Sequence, residues 1–257
     1  MQSQKSVESF GWLWTQQSVI DSTRTFHRRL FKRWGIWSND LDGKVVADVC
    51  SGNGRHVWAL NRLTNAKKIF SVELAESAAE YQKKTFKGFT NIEVIQADAE
   101  EVQFQADFIY MIEAIQHVAN PEGVLKNIFE NLHDNGELVV SFYLKTLTTM
   151  ALEPIRFVTK KLPKQVLWWI SPCLAPLFMV REVGREMGFK NARHDAYDWF
   201  ASHEYQRYFT EPEILDIFAS IGIEETNIIR LQKGLYKVRK GQAVIVDDII
   251  HSFGAEG

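Results

Sequence analysis

The chain has 257 residues, 46% of them apolar, and a formal net charge of −2. That size supports one α/β core with room for an appended segment, and the near-neutral charge supplies no global attraction to nucleic acid. Two cysteines, Cys50 and Cys173, exclude a disulfide framework and fit a reducing cytoplasm. Met1 to Ser9 is polar, without the apolar run of an export signal, and no repeat or low-complexity tract appears.

Residues 1–40 read as an N-terminal helical cap. Phe10, Trp12 and Trp14 lead in, and Asp21 can cap a helix with Phe26, Leu30, Phe31 and Trp34 on one side. Arg24, Arg28, Arg29, Lys32 and Arg33 occupy the rest of that helix. Such a cationic amphipathic helix can meet anionic lipid, RNA or only water.

Residues 41–146 alternate strand and helix as a parallel sheet requires. The first strand, Val45 to Val49, passes through Cys50-Ser51-Gly52-Asn53-Gly54 into a helix opened by Arg55 and His56. Gly52 and Gly54 let backbone approach a ligand, and Asp48 stands at the strand's carboxyl end, where open α/β sheets bind ligands. A dinucleotide turn would read G-x-G-x-x-G, which is absent. Strand two, Lys68 to Val72, is followed by Glu73, whose carboxylate can accept both hydroxyls of a ribose, with Leu74 beside it. Strand three, Ile92 to Ile95, is followed by Asp98 and Ala99, suited to the amine edge and a ring nitrogen of adenine. Strand four is Phe108 to Ile112. Asn120-Pro121-Glu122 then opens a helix, and strand five runs from Glu137 to Phe142.

Two of these stretches resemble a known family. The run from Asp48 to Gly54 resembles the D-x-G-x-G-x-G motif of class I S-adenosylmethionine-dependent methyltransferases, with Cys50 in the place of the first glycine. Asp107, Ile109, Glu113, Ile115, His117 and Val118 fit the D-x-V-x-x-x-E-x-L-x-H-V pattern of the ubiquinone-biosynthesis (methyltransferase type 11) branch position by position. The resemblance implies an α/β fold, a Rossmann-like seven-stranded mostly parallel sheet with helices on both faces. It implies S-adenosyl-L-methionine held by Asp48, Ser51, Gly52, Gly54, Glu73, Leu74, Asp98, Ala99 and Ile112. It also implies His117 beside the substrate, where a structural histidine is the other reading; the run Phe10-Gly11-x-x-Trp14 separately resembles a signature before the sheet of several small-molecule methyltransferases, which implies Trp14 closing over the cofactor, where core packing is the other reading.

Residues 147–209 interrupt the alternation and read as an apolar helical lid inserted after strand five. Val166 to Val180 is uncharged but too short and proline-broken to span a bilayer. With Arg156, Lys160, Lys161 and Lys164 upstream, residues 156–180 suit an acceptor-site lid, peripheral membrane contact or a homodimer interface. Residues 195–208 crowd aromatic and titratable groups and resemble a stretch before the last helix of methyltransferases in glycan and natural-product pathways. His203 or Tyr205 could there act as general base, with capping and packing as the alternative. Residues 210–257 complete the core: a capping box at Thr210 and Glu213 opens a helix closed by Gly222, and 224–231 with 242–246 form a final hairpin.

The expected activity is methylation, chiefly on oxygen, of a small, partly apolar natural-product, quinone or sugar intermediate. A non-catalytic adaptor or heterodimer partner is the alternative. Charge disfavours a tRNA substrate, and no metal-ligand spacing appears.

Overall fold

The computed structural model describes residues 4–16, 28, 31–32, 34–36, 38–159, 161–179, 189, 192–193, 196–200 and 205–241. Its centre is a seven-stranded sheet of β1 (Val45–Val49), β2 (Lys68–Glu73), β3 (Ile92–Gln96), β4 (Ala106–Met111), β5 (Leu132–Ser141), β6 (Ile228–Gln232) and β7 (Leu235–Arg239). The strand order is β3-β2-β1-β4-β5-β7-β6. β1 to β5 pair in parallel, whereas β7 is antiparallel to both β5 and β6. The helices are α1 (Gln4–Thr15), α2 (Arg55–Leu63), α3 (Glu76–Thr85), α4 (Pro121–Glu130), α5 (Leu147–Thr159), α6 (Lys164–Met179) and α7 (Glu211–Ser220).

Strand periodicity divides the core into two layers. Ala47, Val49, Ile109, Met111, Leu138 and Val140 face α4 and α7, joining Leu125, Ile128, Ile214 and Phe218. Val46, Phe108, Tyr110 and Val139 face the other way, toward Val57 and Leu60 of α2 and toward Phe31, Trp34 and Leu41. The chain reversal between β1 and β4 in strand order leaves a crevice at the carboxyl ends of the parallel strands, the place where such sheets hold ligands.

Local chemistry fixes the element ends. Asn120 Oδ1 accepts the Gly123 N–H at 3.2 Å with Pro121 in the first turn of α4, and Thr210 and Glu213 form a reciprocal capping box on α7. The final hairpin lies earlier than the residue pattern predicts. β6 and β7 are joined through Lys233 and Gly234, with Gly234 at φ +73°, and 224–227 carry a short 3-10 turn instead. The expected strand over 242–246 lies outside the described residues, as do most of the helix expected after Asp21 and the residue His203.

Within the cap expected over residues 1–40, α1 carries the Phe10, Trp12 and Trp14 run. It packs across the start of α3 because Gly11 has no Cβ: one there would collide with Ser77 Oγ and meet Ala75 at 3.1 Å. Leu13 of α1 joins Leu167, Ala175, Ala196, Tyr197 and Phe200 in a third apolar cluster, which ties α1 to α6 and to residues 196–200. Among the described residues no helix is long and apolar enough to cross a membrane.

Candidate functional site

The crevice is floored by the turn between β1 and α2. Ser51 N–H donates to Val72 O at 3.0 Å and Gly54 N–H to Ser51 O at 2.9 Å, so the turn is held against β2. Cys50, Gly52 and Gly54 all have positive φ, +61°, +60° and +79°. Cys50 thus carries a left-handed conformation without being glycine. Beneath the turn, the wholly buried Gln82 of α3 donates from Nε2 to Gly52 O at 2.8 Å and to Ser51 Oγ at 2.9 Å, while its Oε1 accepts from Ser71. A polar residue beside Ala78 and Ala79 on the inward face of a helix is the sequence signal that points to such a strut.

Glu73 is the pivotal acid. Its Oε2 accepts the Gly52 N–H at 2.8 Å and its Oε1 the Ala75 N–H at 2.9 Å, which fixes the carboxylate at the lip of the crevice. Burial pushes its pKa up to about 7, against the opposing pull of the backbone N–H groups of Ala75, Gly52 and Leu74.

Of the residues singled out in the sequence, Trp14, Ser51, Gly52, Glu73, Leu74, Asp98, Ala99, Ile112 and His117 line one cavity. Asp48 and Gly54 do not. Asp48 points into the sheet opposite Tyr110, its register partner on β4, and burial holds its pKa well above the carboxylate range. The Tyr110 hydroxyl interacts with it, yet neither that hydroxyl nor Asp48 Oδ2 completes a hydrogen bond of normal geometry. Gly54 faces away from the cavity, and a Cβ there would meet Phe86 at 2.7 Å.

The wall opposite the strands comes from α1, a contribution that only Trp14 announced. Phe10 and Leu13 line the cavity with it, and the Trp14 ring seats on Gly52, where a Cβ would lie 2.9 Å from it. The Arg55 guanidinium lies 5.4 Å from the centre of that ring.

At the far end His117 is buried between Phe10, at 5.2 Å, and Tyr143, at 6.0 Å, in edge-on contacts. Its Nδ1 lies 3.1 Å from the Tyr205 carbonyl oxygen. A carbonyl only accepts, so the Nδ1 proton is fixed there and the basic lone pair of the neutral ring is on Nε2. Tyr205 therefore enters through its backbone. Its ring is not in the cavity lining and faces Arg207 at 5.6 Å, which removes the phenol from the position a base needs. Arg207 N–H donates to Gln116 O and its guanidinium to Ala119 O, clamping the returning chain onto the β4–α4 loop.

Whether S-adenosylmethionine fits follows from the lining. Glu73, Asp98, Glu100, Glu113 and Asp198 face the cavity, and Arg55 is the fixed cation among the described residues that line it. This balance repels a phosphate-bearing ligand and suits one with a ribose diol and net positive charge, while Trp14, Leu74 and Ile112 supply apolar surface for a base. The residues present fit the cofactor. No group of three His, Cys, Asp or Glu side chains among the described residues is arranged to hold a metal ion.

Fold and site together define a Rossmann-like nucleoside-binding domain of the methyltransferase type. A family model described as a methyltransferase domain matches residues 40–166. Residues 40–166 are thus similar to a methyltransferase domain, and the fold is the one that S-adenosylmethionine-dependent methyltransferases use. No protein of curated function matches it. Among solved structures, a chain of the Haloferax volcanii complex containing the Trm112 methyltransferase activator is 13% identical, with 80% of this chain and 71% of that one covered and a TM-score of 0.51. Human N-acetylserotonin methyltransferase in complex with S-adenosylmethionine is 14% identical, with 84% of this chain and 53% of that one covered and a TM-score of 0.50. The chain therefore spans about half the length of the human enzyme. At such identities both show the shared fold.

Proposed function

We propose that this chain methylates a hydroxyl of a small, partly apolar organic acceptor, with His117 as the general base. The observation that carries the reading is the His117 ring, held with its Nδ1 proton on the Tyr205 carbonyl at the end of the cavity opposite the glycine turn. The cofactor, when bound, supplies a methyl group already activated by its sulfonium. What the chain must do is align the acceptor oxygen with that carbon and receive the proton the oxygen loses.

Glu73 would hold the ribose hydroxyls, and Asp98 with Ala99 the adenine edge. Phe10, Tyr143 and Val118 enclose an acceptor in apolar surface, consistent with a phenol or quinol rather than a free sugar. His117 Nε2 then takes the acceptor's proton, and its Nδ1–H bond to Tyr205 O strengthens as the ring becomes cationic. α5, α6 and residues 196–200 serve as the lid of this reading, because Asp198 reaches the lining and the segment packs on α1.

The test is transfer of a labelled methyl group to a panel of apolar phenols and quinols. His117→Gln should lower kcat by about 10²-fold or more with little change in cofactor affinity, and flatten the acidic limb of the pH–rate profile. Unchanged turnover in that variant would remove His117 from the chemistry. Binding of cofactor with no transfer to any acceptor would favour the adaptor reading instead.

A further inference from the structure

We propose that the outward faces of α5 and α6 dock on an anionic bilayer surface. Leu147, Met150, Ala151, Pro154, Ile155 and Val158 of α5 recur at steps of three and four and are all exposed, Leu147 to 87%. The polarity of this helix is inverted, for its one arginine, Arg156, is buried and paired with Glu153 at 3.3 Å. α6 repeats the arrangement. Leu167, Ser171 and Ala175 face inward, whereas Val166, Trp169, Ile170, Cys173 and Pro176 face water, Trp169 at 79% exposure. α6 has thus met its internal packing in the third apolar cluster and presents a second apolar stripe, while the apolar stripe of α5 is the exposed one.

Charge selects the occupant. From Pro154 to Met179 the sequence has no Asp or Glu but includes Lys160, Lys161 and Lys164, in a protein whose net charge is −2. Lys161 Nζ lies 4.2 Å from the centre of the Phe157 ring, its ammonium over the face of an exposed aromatic. Lysines between apolar stripes, with an exposed tryptophan, make up an interfacial membrane helix, in which the rings sit at headgroup depth and the ammonium groups meet lipid phosphates. Protein–protein interfaces are depleted of lysine, which disfavours a second copy here. α5 begins just beyond Tyr143, a residue of the cavity wall, so docking would set the acceptor end of the site against the bilayer and suit an acceptor that partitions into lipid. That last step rests on the methyl-transfer reading; the docking does not.

The full chain should co-sediment with vesicles of phosphatidylcholine containing phosphatidylglycerol, and about tenfold more weakly with phosphatidylcholine alone or in high salt. Replacing Lys160, Lys161 and Lys164 by Gln should give the same weakening. Ile155→Ser with Trp169→Ser should abolish binding while leaving the thermal unfolding midpoint unchanged, since both side chains are exposed. Absence of sedimentation with either vesicle would overturn the proposal. So would equal binding by the lysine variant, or a wild-type dimer that the serine variant converts to monomer without any vesicle binding. The readout needs neither cofactor nor turnover, so its failure is distinct from failure of methyl transfer.

Discussion

Strain and burial at single residues gather on the cavity. Cys50 and Glu113, two of the three described non-glycine residues with positive φ, both line it. Cys50 stands where the family motif has glycine, and its left-handed backbone costs about 1 kcal/mol relative to glycine. Cys50→Gly should therefore raise stability by up to about 1 kcal/mol in a denaturant titration, after the loss from a more flexible unfolded chain; a lower midpoint would show that the thiol's packing outweighs the strain. Glu73 gives a pH signature. Its folded pKa of about 7 lies above the ordinary 4.5, so the stability it contributes is complete below the unfolded value and lost as pH rises through about 7. Unfolding free energies from urea titration should fall between about pH 5 and about pH 8, by up to about 3 kcal/mol, and Glu73→Gln should flatten that slope. Ligand hydroxyls donating to Glu73 favour its ionised form, so binding of S-adenosylhomocysteine near pH 7 should release protons, seen in calorimetry as a dependence on buffer ionisation enthalpy.

Among the elements, α3 matters more than its sequence suggests. Gln82 ties Ser51, Ser71 and the Gly52 carbonyl together, and Gln82→Leu would leave the buried Gly52 carbonyl without this donor and take one partner from each serine, which keep each other and Val72 O. A loss of about 2–4 kcal/mol is expected, with weakened cofactor binding because the glycine turn loses its support. Retained stability would mean the turn is held by β2 alone. Most of the parallel core was legible: Val45–Val49 appears at its observed limits, Glu73 closes β2 and Asp98 follows β3, because short apolar runs leading to an acid have few other solutions, whereas β5 begins at Leu132, before the strand read from Glu137, since His133, Asp134 and Asn135 break the apolar pattern. The hairpin was misplaced because a Lys233-Gly234 turn between half-buried strands is a weak signal beside the longer apolar run further on. Asp198 lay within the stretch 195–208 whose crowded aromatic and titratable groups suggested a substrate wall, but Tyr143 was not legible as a site residue, since what packs over the end of β5 is encoded by no local spacing. Tyr205 was legible as important, but for its side chain rather than for the carbonyl that orients His117.

At the scale of the whole molecule, one sheet edge collects the cofactor-facing acids, the oriented histidine and the helices whose outer faces are apolar. The crevice is acid-rich, whereas the sequence joining α5 to α6 carries lysines and no acid, so the two carry opposite electrostatic character. The central claim is that this crevice binds an adenosyl ligand through Glu73 rather than a phosphate-bearing dinucleotide. A thermal shift with S-adenosylhomocysteine and with NAD, on the wild-type chain and on Glu73→Ala, tests it most directly. At a hundred times its dissociation constant a ligand adds about 2.7 kcal/mol of apparent stability, a shift of several degrees or fewer that is readily measured. Stabilisation by S-adenosylhomocysteine alone, sharply reduced in Glu73→Ala, is the predicted result. Stabilisation by NAD alone, or a response to S-adenosylhomocysteine that is the same in both proteins, would contradict it.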